Sequence, residues 1–119
     1  MKVIIAGSRT IKKYNIQAAV DRSEFLISEV VCGMSKGIDR IGYWWARVNK
    51  ITIEPFYADW YDEDNLYDPS AGPRRNKKMA RYADALILIW DGKSKGSTSM
   101  LEEAEKRGLK IYQEIIDIP

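Results

Sequence analysis

Four short segments of this sequence join a glycine to hydroxyl, amide or basic side chains, the groups that hold an anion. The first is Gly7-Ser8-Arg9. A glycine lets the backbone turn tightly and a serine hydroxyl donates. An arginine offers parallel N–H groups to a phosphate. The same residues also suit a plain turn. The second runs from Cys32 to Arg40 and holds Gly33, Lys36, Gly37 and Asp39. It reads as a strand end, a glycine-containing loop and a helix start, which presents N–H groups and the positive end of a helix dipole. It matches neither the dinucleotide fingerprint nor the P-loop pattern. Asp39, in the first helical turn, suits a ribose hydroxyl or the helix N-terminus equally. In the third, Ala71 to Met79, Arg75 and Asn76 fall in the first turn of a helix, whereas Lys77, Lys78 and Arg81 read as its solvated face. The fourth, Asp91 to Ser99, sets Ser94, Gly96, Ser97 and Thr98 at another helix start, suited to a phosphate or to a flexible turn with a cap.

The rest of the chemical inventory is narrow. Histidine is absent, which removes the commonest general base and metal ligand. The segment from Tyr57 to Gly72 mixes Trp60, Tyr61 and Tyr67 with Asp59, Asp62, Glu63, Asp64 and Asp68. Its aromatics can stack on a base. Its carboxylates are expected to solvate the loop or pair with the basic helix that follows rather than to hold a cation, so no metal site is assigned. Tyr43-Trp44-Trp45 cannot all face inward, since adjacent helical residues diverge. Trp45 follows the apolar stripe, and an exposed Trp44 or Tyr43 hints at a subunit contact. Cys32 reads as a buried strand residue.

Strands and helices must hold these loops. Val3 to Ala6, Val30 to Cys32, Ile51 to Phe56, Ala85 to Trp90 and Leu109 to Ile115 read as strands. Helical spacing spans Tyr14 to Ser28 and Ile38 to Val48. Pro73 opens a basic helix ending at Tyr82, and Ser99-Met100-Leu101-Glu102 fits a capping box for a last helix closed by Gly108. Alternating strands and helices imply an α/β fold: a Rossmann-like, doubly wound parallel sheet of about five strands with helices on both faces. In such a sheet ligands bind beyond the carboxyl ends of the strands, where all four loops fall.

Bulk properties set the outer limits. A length of 119 residues, 45% hydrophobic and 30% charged, suits one soluble domain over 1–119. The net charge of +2 gives no push toward nucleic acid. One cysteine excludes an internal disulfide and fits a reducing compartment. The opening apolar run is too short for a signal peptide or membrane span, so a cytoplasmic protein is expected.

The loops, in this order, resemble the SLOG superfamily, Rossmann-like nucleotide-binding domains that include the DNA-processing protein DprA and the cytokinin-activating "lonely guy" enzymes. Within it the chain is most similar to the small YspA-related single-domain family. The motifs are Ile5-Ala6-Gly7-Ser8-Arg9, Gly37-Ile38-Asp39-Arg40 with Trp45-Ala46, Ala58-Asp59-Trp60, Ala71-Gly72-Pro73-Arg74-Arg75-Asn76 with Met79-Ala80, and Gly92-Lys93-Ser94-Lys95-Gly96-Ser97. The resemblance covers nearly the whole chain and adds Asp59 and Trp60 to the ligand-binding candidates. It departs from the family in two places. The second loop is poorer in glycine. The lonely-guy arginine motif matches Arg75 in spacing, but its partner glutamate should directly follow Gly-Thr, whereas Glu102 is separated from Gly96-Ser97-Thr98.

The expected function is therefore binding of a phosphate-bearing nucleotide or nucleotide-derived signal, as sensor or sequestering protein, with no separate cofactor and no catalytic residue assigned. The alternative is a nucleoside 5'-monophosphate phosphoribohydrolase, with Arg75 on the phosphate and Glu102 or Asp39 assisting departure of the base. A single-stranded DNA binder needs a basic groove with stacking aromatics, against which the near-neutral charge argues. No membrane partner is expected, and a homo-oligomer is.

Overall fold

The computed structural model describes residues 1–117. Its strands are β1 (Lys2–Gly7), β2 (Glu29–Cys32), β3 (Thr52–Pro55), β4 (Ala85–Trp90) and β5 (Lys110–Ile115). Its helices are α1 (Ile16–Ser23), α2 (Ile38–Val48), α3 (Ala71–Tyr82) and α4 (Lys95–Lys106). The five strands form one sheet in the order β3-β2-β1-β4-β5, and every pairing is parallel. The fold is the Rossmann-like α/β arrangement expected from the alternation of elements. No helix among the described residues is long and apolar enough to cross a membrane.

Strand periodicity explains why both faces are covered. Val3 and Ile5 of β1 and Ala85, Ile87 and Ile89 of β4 point into one core with Ile16, Ala19, Ile38 and Ala46 of α1 and α2. The alternate residues Ile4, Ala6, Leu86, Leu88 and Trp90 point into the other with Met79, Ala80, Met100 and Ala104 of α3 and α4. All of β4 is buried, as the wholly apolar run from Ala85 to Trp90 demands. The chain winds one way from β1 to β3 and the other way through β4 and β5. The switch point lies between β1 and β4.

Two helix boundaries differ from the pattern reading. The first helix stops at Ser23 rather than Ser28. Glu24 takes a left-handed φ of 61° and returns its N–H to Asp21. The Ser23 hydroxyl donates to the Val20 carbonyl and accepts from the Phe25 amide, so the chain leaves the helix there. The last helix opens at Lys95, not at a cap on Ser99. Asp91 Oδ1 accepts from the amides of Lys93 and Ser94, which turns the chain early. The Ser94 carbonyl then takes the Thr98 N–H at 3.0 Å, the first bond of the helix. Smaller shifts set β3 at Thr52–Pro55 and start α3 at Ala71, with Pro73 still in its first turn. Val48, the last residue of the expected helical span, is 78% exposed, because it lies at the rim of the buried face formed by Ile38, Gly42 and Ala46.

Candidate functional site

The loops that follow β1, β2, β3 and β4 meet in a two-part cleft. A central chamber of about 300 Å³ lies over β1 and β4, between the Gly7–Thr10 and Ser94–Ser97 loops. A lateral chamber of about 360 Å³ lies toward β2 and β3, between Gly33–Lys36 and the segment Tyr57 to Trp60. Arg9, Ser35 and Arg75 line both.

Close backbone packing builds the central floor. A Cβ on Gly7 would lie 1.8 Å from the Ile89 carbonyl oxygen, so β1 can turn here only without a side chain. The next residue, Ser8, is buried. Its amide donates to Ile89 O, its carbonyl accepts from the Ile38 amide, and its hydroxyl accepts from the Asp91 amide. One serine thus ties the first loop to the start of α2 and to the end of β4. Gly37 has a φ of +79°, and a Cβ there would meet Ser8 O at 2.3 Å. Its role is to let α2 begin directly beneath the first loop.

Arg75 is the central side chain. It is only 8% exposed, although it is a cation on the first turns of α3. Its Nε donates to Asn76 Oδ1 at 3.0 Å, and one terminal nitrogen donates to Gly33 O at 2.6 Å. Asn76 passes the connection on, donating to Gly96 O and to the Ser99 hydroxyl, so α3 and α4 are cross-linked beneath the cleft. Ser99 serves as this acceptor inside α4 instead of capping it. The other terminal nitrogen of Arg75 makes no hydrogen bond within the described residues. Burial pulls the guanidinium pKa down, while nearby Asp39 pushes it up.

Asp39 sits in the same wall and is 5% exposed. Its Oδ2 accepts from the Ser35 amide at 3.2 Å. Burial raises its pKa to about 6, against the opposing pull of Arg75 and of backbone N–H groups. The two side chains face one another across Gly33. A Cβ there would come within 2.8 Å of Asp39 Oδ2 and 3.1 Å of the Arg75 guanidinium. The glycine at this position is thus needed for the charged pair to approach. Cys32, just before it, is buried, and burial pushes its thiol up to about 12, so it is no nucleophile near neutrality.

The structure brings most of the expected residues together. Gly7, Ser8, Arg9, Asp39, Arg75, Asn76, Ser94, Gly96 and Ser97 line the central chamber, and Gly33, Lys36 and Trp60 line the lateral one. Three stand apart. Gly37 supports the loop from behind. The Thr98 hydroxyl donates to the Ser94 carbonyl, within the first turn of α4. Asp59 is exposed and lines neither chamber, although its neighbours Ala58 and Trp60 do. Trp60 is not a free stacking face. Its ring stacks with Tyr67 at 6.0 Å, abuts Gly72, and carries the Arg9 guanidinium 5.7 Å from its centroid. Of the loop carboxylates, Asp68 pairs with Arg74 at 2.5 Å, the expected link to the basic helix.

Several lining residues escaped the sequence reading. Ser35, Arg40 and Asp91 belong to the recognised loops but showed no pattern of their own. Met79 stood only in a family motif and Met100 only in the capping-box segment; both are buried and line the central chamber. The Ser94 hydroxyl is buried without a partner among the described residues, an unmet polar group at the chamber wall. Glu102 is exposed on α4 and lines neither chamber. With the helix opening at Lys95, it lies about two turns from the loop.

The family model described as YspA, cpYpsA-related SLOG family matches residues 1–62, just over half of the chain, and the chain belongs to that family. No curated protein and no solved structure matches it. The matched segment carries the loops after β1 and β2 and the residues Tyr57 to Trp60. Arg75 and the α4 loop fall outside it.

Proposed function

We propose that this YspA-related SLOG chain, folded as one unit over 1–119, binds a phosphate-bearing nucleotide or nucleotide-derived signal at the C-terminal edge of its sheet. Membership of the family supports a nucleotide-related role in general. The observation that carries the more specific reading is Arg75. A cation more than nine-tenths buried is costly unless its N–H groups are met. Here part of the guanidinium is left to a cleft that is also lined by the start of α4 from Ser94 to Ser97. An anionic group bound there supplies what the chain does not. Met79 and Met100 back the chamber with apolar side chains, and Asp39 offers a partner for a hydroxyl or ring nitrogen group. Glu102, the glutamate the hydrolase alternative calls on, lines neither chamber, which favours holding a ligand as a sensor or sequestering protein.

Melting curves against a panel of mononucleotides, ADP-ribose derivatives and cyclic oligonucleotides test this. A specific ligand at a hundredfold excess over its Kd stabilises by about 2.7 kcal/mol, a shift of several degrees. A flat response across the panel would falsify it.

One observation favours a second reading, phosphoribohydrolase activity. Asp39 lines the cleft with a pKa near 6, able to carry a proton to a departing base. Glu102, the other candidate, is turned away. Incubation with AMP and analogues decides the matter: free base supports it, and none under any condition removes it. A reducing cytoplasmic setting and self-association complete the proposal, resting on the lone thiol of Cys32 and on Trp44, which is 60% exposed. Light scattering on the purified protein checks the latter.

A further inference from the structure

The two chambers differ in charge. The lateral one is lined by Arg9, Lys36, Arg40 and Arg75 and by no carboxylate. The central one shares Arg9 and Arg75 and adds Lys95, but sets Asp39 and Asp91 beside them. Four cations facing one concavity repel each other, and the arrangement gains most from a polyanion. One phosphate group carries at most about two negative charges, so it leaves half of this charge unmatched.

The cations are also held in place. Arg75 is buried and fixed through Asn76 and Gly33. Arg9 rests on the Trp60 ring, which is itself clamped by Tyr67 and Gly72. The indole thus serves to orient Arg9. Ala6, Met79 and Met100 line the central chamber, and Met34 and the exposed Tyr57 line the lateral one, so charge rather than apolar surface separates the two. Each chamber alone is at the small end of the roughly 300–1,000 Å³ common for ligand sites. A two-part ligand fills both.

We propose that the lateral chamber is a polyphosphate subsite: the ligand carries at least two linked phosphates, held among Arg9, Lys36, Arg40 and Arg75, and its nucleoside occupies the central chamber. The placement of the nucleoside rests on the nucleotide reading above. The polyphosphate preference does not, and it can be tested without any nucleoside.

Calorimetric titration with inorganic phosphate, pyrophosphate and tripolyphosphate is the test. Pyrophosphate is expected to bind at least about tenfold more tightly than phosphate, the worth of one further charge-assisted hydrogen bond. That advantage should shrink with added salt. In the double variant Lys36→Gln/Arg40→Gln the preference should fall below about threefold, because each lost charge removes a charge-assisted contact. The melting temperature of the free variant should be unchanged, both side chains being exposed. Equal affinity for phosphate and pyrophosphate, a preference that survives the double variant, or no binding of either anion overturns the subsite. Nucleoside mono- and diphosphates of the common bases form the second arm, and diphosphates should bind more tightly. If pyrophosphate is preferred and no nucleotide competes with it, the nucleotide reading falls and the subsite stands. If nucleotides bind but a second phosphate adds nothing, the subsite falls and the nucleotide reading stands.

Discussion

The two ends of the sheet are built from the same strands and treat polar groups in opposite ways. At the amino-terminal end the chain meets its own needs. The Lys2 amide donates to Asp84 at 2.9 Å, the Lys2 ammonium lies 4.1 Å from the centre of the Tyr82 ring, and the Tyr82 hydroxyl donates to Glu29. At the carboxyl-terminal end, among the described residues, Arg75 keeps an unbonded nitrogen, the Ser94 hydroxyl is buried without a partner, and Asp39 is held as a reluctant carboxylate. A fold can leave such groups unmet where a ligand meets them and has no reason to do so elsewhere. Substitutions at one end should therefore register in stability and at the other in binding.

The largest expected effect falls where the two requirements coincide. Gly7→Ala drives a Cβ into the backbone of β4, which cannot swing aside like a side chain. The variant should lose about 3 kcal/mol or more in urea unfolding, or fail to fold. A loss below about 1 kcal/mol would mean that the β1–β4 crossing, and the site on it, is not rigid. Arg75→Met separates the two ends more cleanly. Ligand affinity should drop by about 2–5 kcal/mol, as when one partner of a buried charged contact is removed. Stability should fall by less, about 1–2 kcal/mol, because Gly33 O and Asn76 Oδ1 each lose a donor while the cost of burying the cation is relieved. Equal losses in both would make Arg75 a structural residue and break the contrast.

The sequence made much of this legible, for reasons that differ by residue. The bounds of β4 follow from an unbroken apolar run, and those of α2 from the glycine before Ile38 and a regular apolar spacing. Gly7, Ser8, Arg9 and Arg75 stood out because glycine, serine and arginine just after a strand or at a helix start are groups that hold an anion, although the first three also suit a plain turn. Side-chain competition for backbone groups was less legible. Whether α4 is capped at Ser94 or Ser99 depends on Asp91 folding back to two amides, and both candidates are serines. Which methionine reaches the cleft depends on how α3 and α4 lie on the sheet, which spacing along the chain does not encode. Trp60 was found through its motif, but its part as a support for Arg9 required the positions of Tyr67 and Gly72.

A smaller effect comes from Asp39. Its native pKa of about 6 lies above the usual aspartate value of 3.8, so between these limits the folded chain holds more protons than the unfolded one. The stability contribution is then negative at high pH and is relieved as pH falls. Unfolding free energy should rise on going from pH 7 toward pH 4, by on the order of 3 kcal/mol at most from this residue. In Asp39→Asn this component of the pH dependence should vanish. An anion bound nearby raises the Asp39 pKa further, so phosphate-bearing ligands should bind more tightly at pH 5.5 than at pH 7.5, by about threefold to tenfold. A pH-independent affinity would place the anion at the far side of the lateral chamber, by Lys36 and Arg40 rather than by Gly33 and Ser35.

The smallest effect belongs to the closed end of the sheet. Tyr82→Phe keeps the ring, with its contact to Phe56 at 5.6 Å between centroids and its place beneath the Lys2 ammonium. It removes one hydroxyl that donates to Glu29. That carboxylate is half-buried and can turn to water, so the loss should be about 0.5–1 kcal/mol, the net value of a single hydrogen bond. Affinity for any ligand of the cleft should be unchanged, because the ring contacts with Phe56 and Lys2 still anchor the end of α3. A Tyr82→Phe variant with weakened binding would show that α3 transmits strain along its length, from Tyr82 back to Arg75 on the same helix. The independence of the two ends, rather than either chamber, would then be the part to abandon.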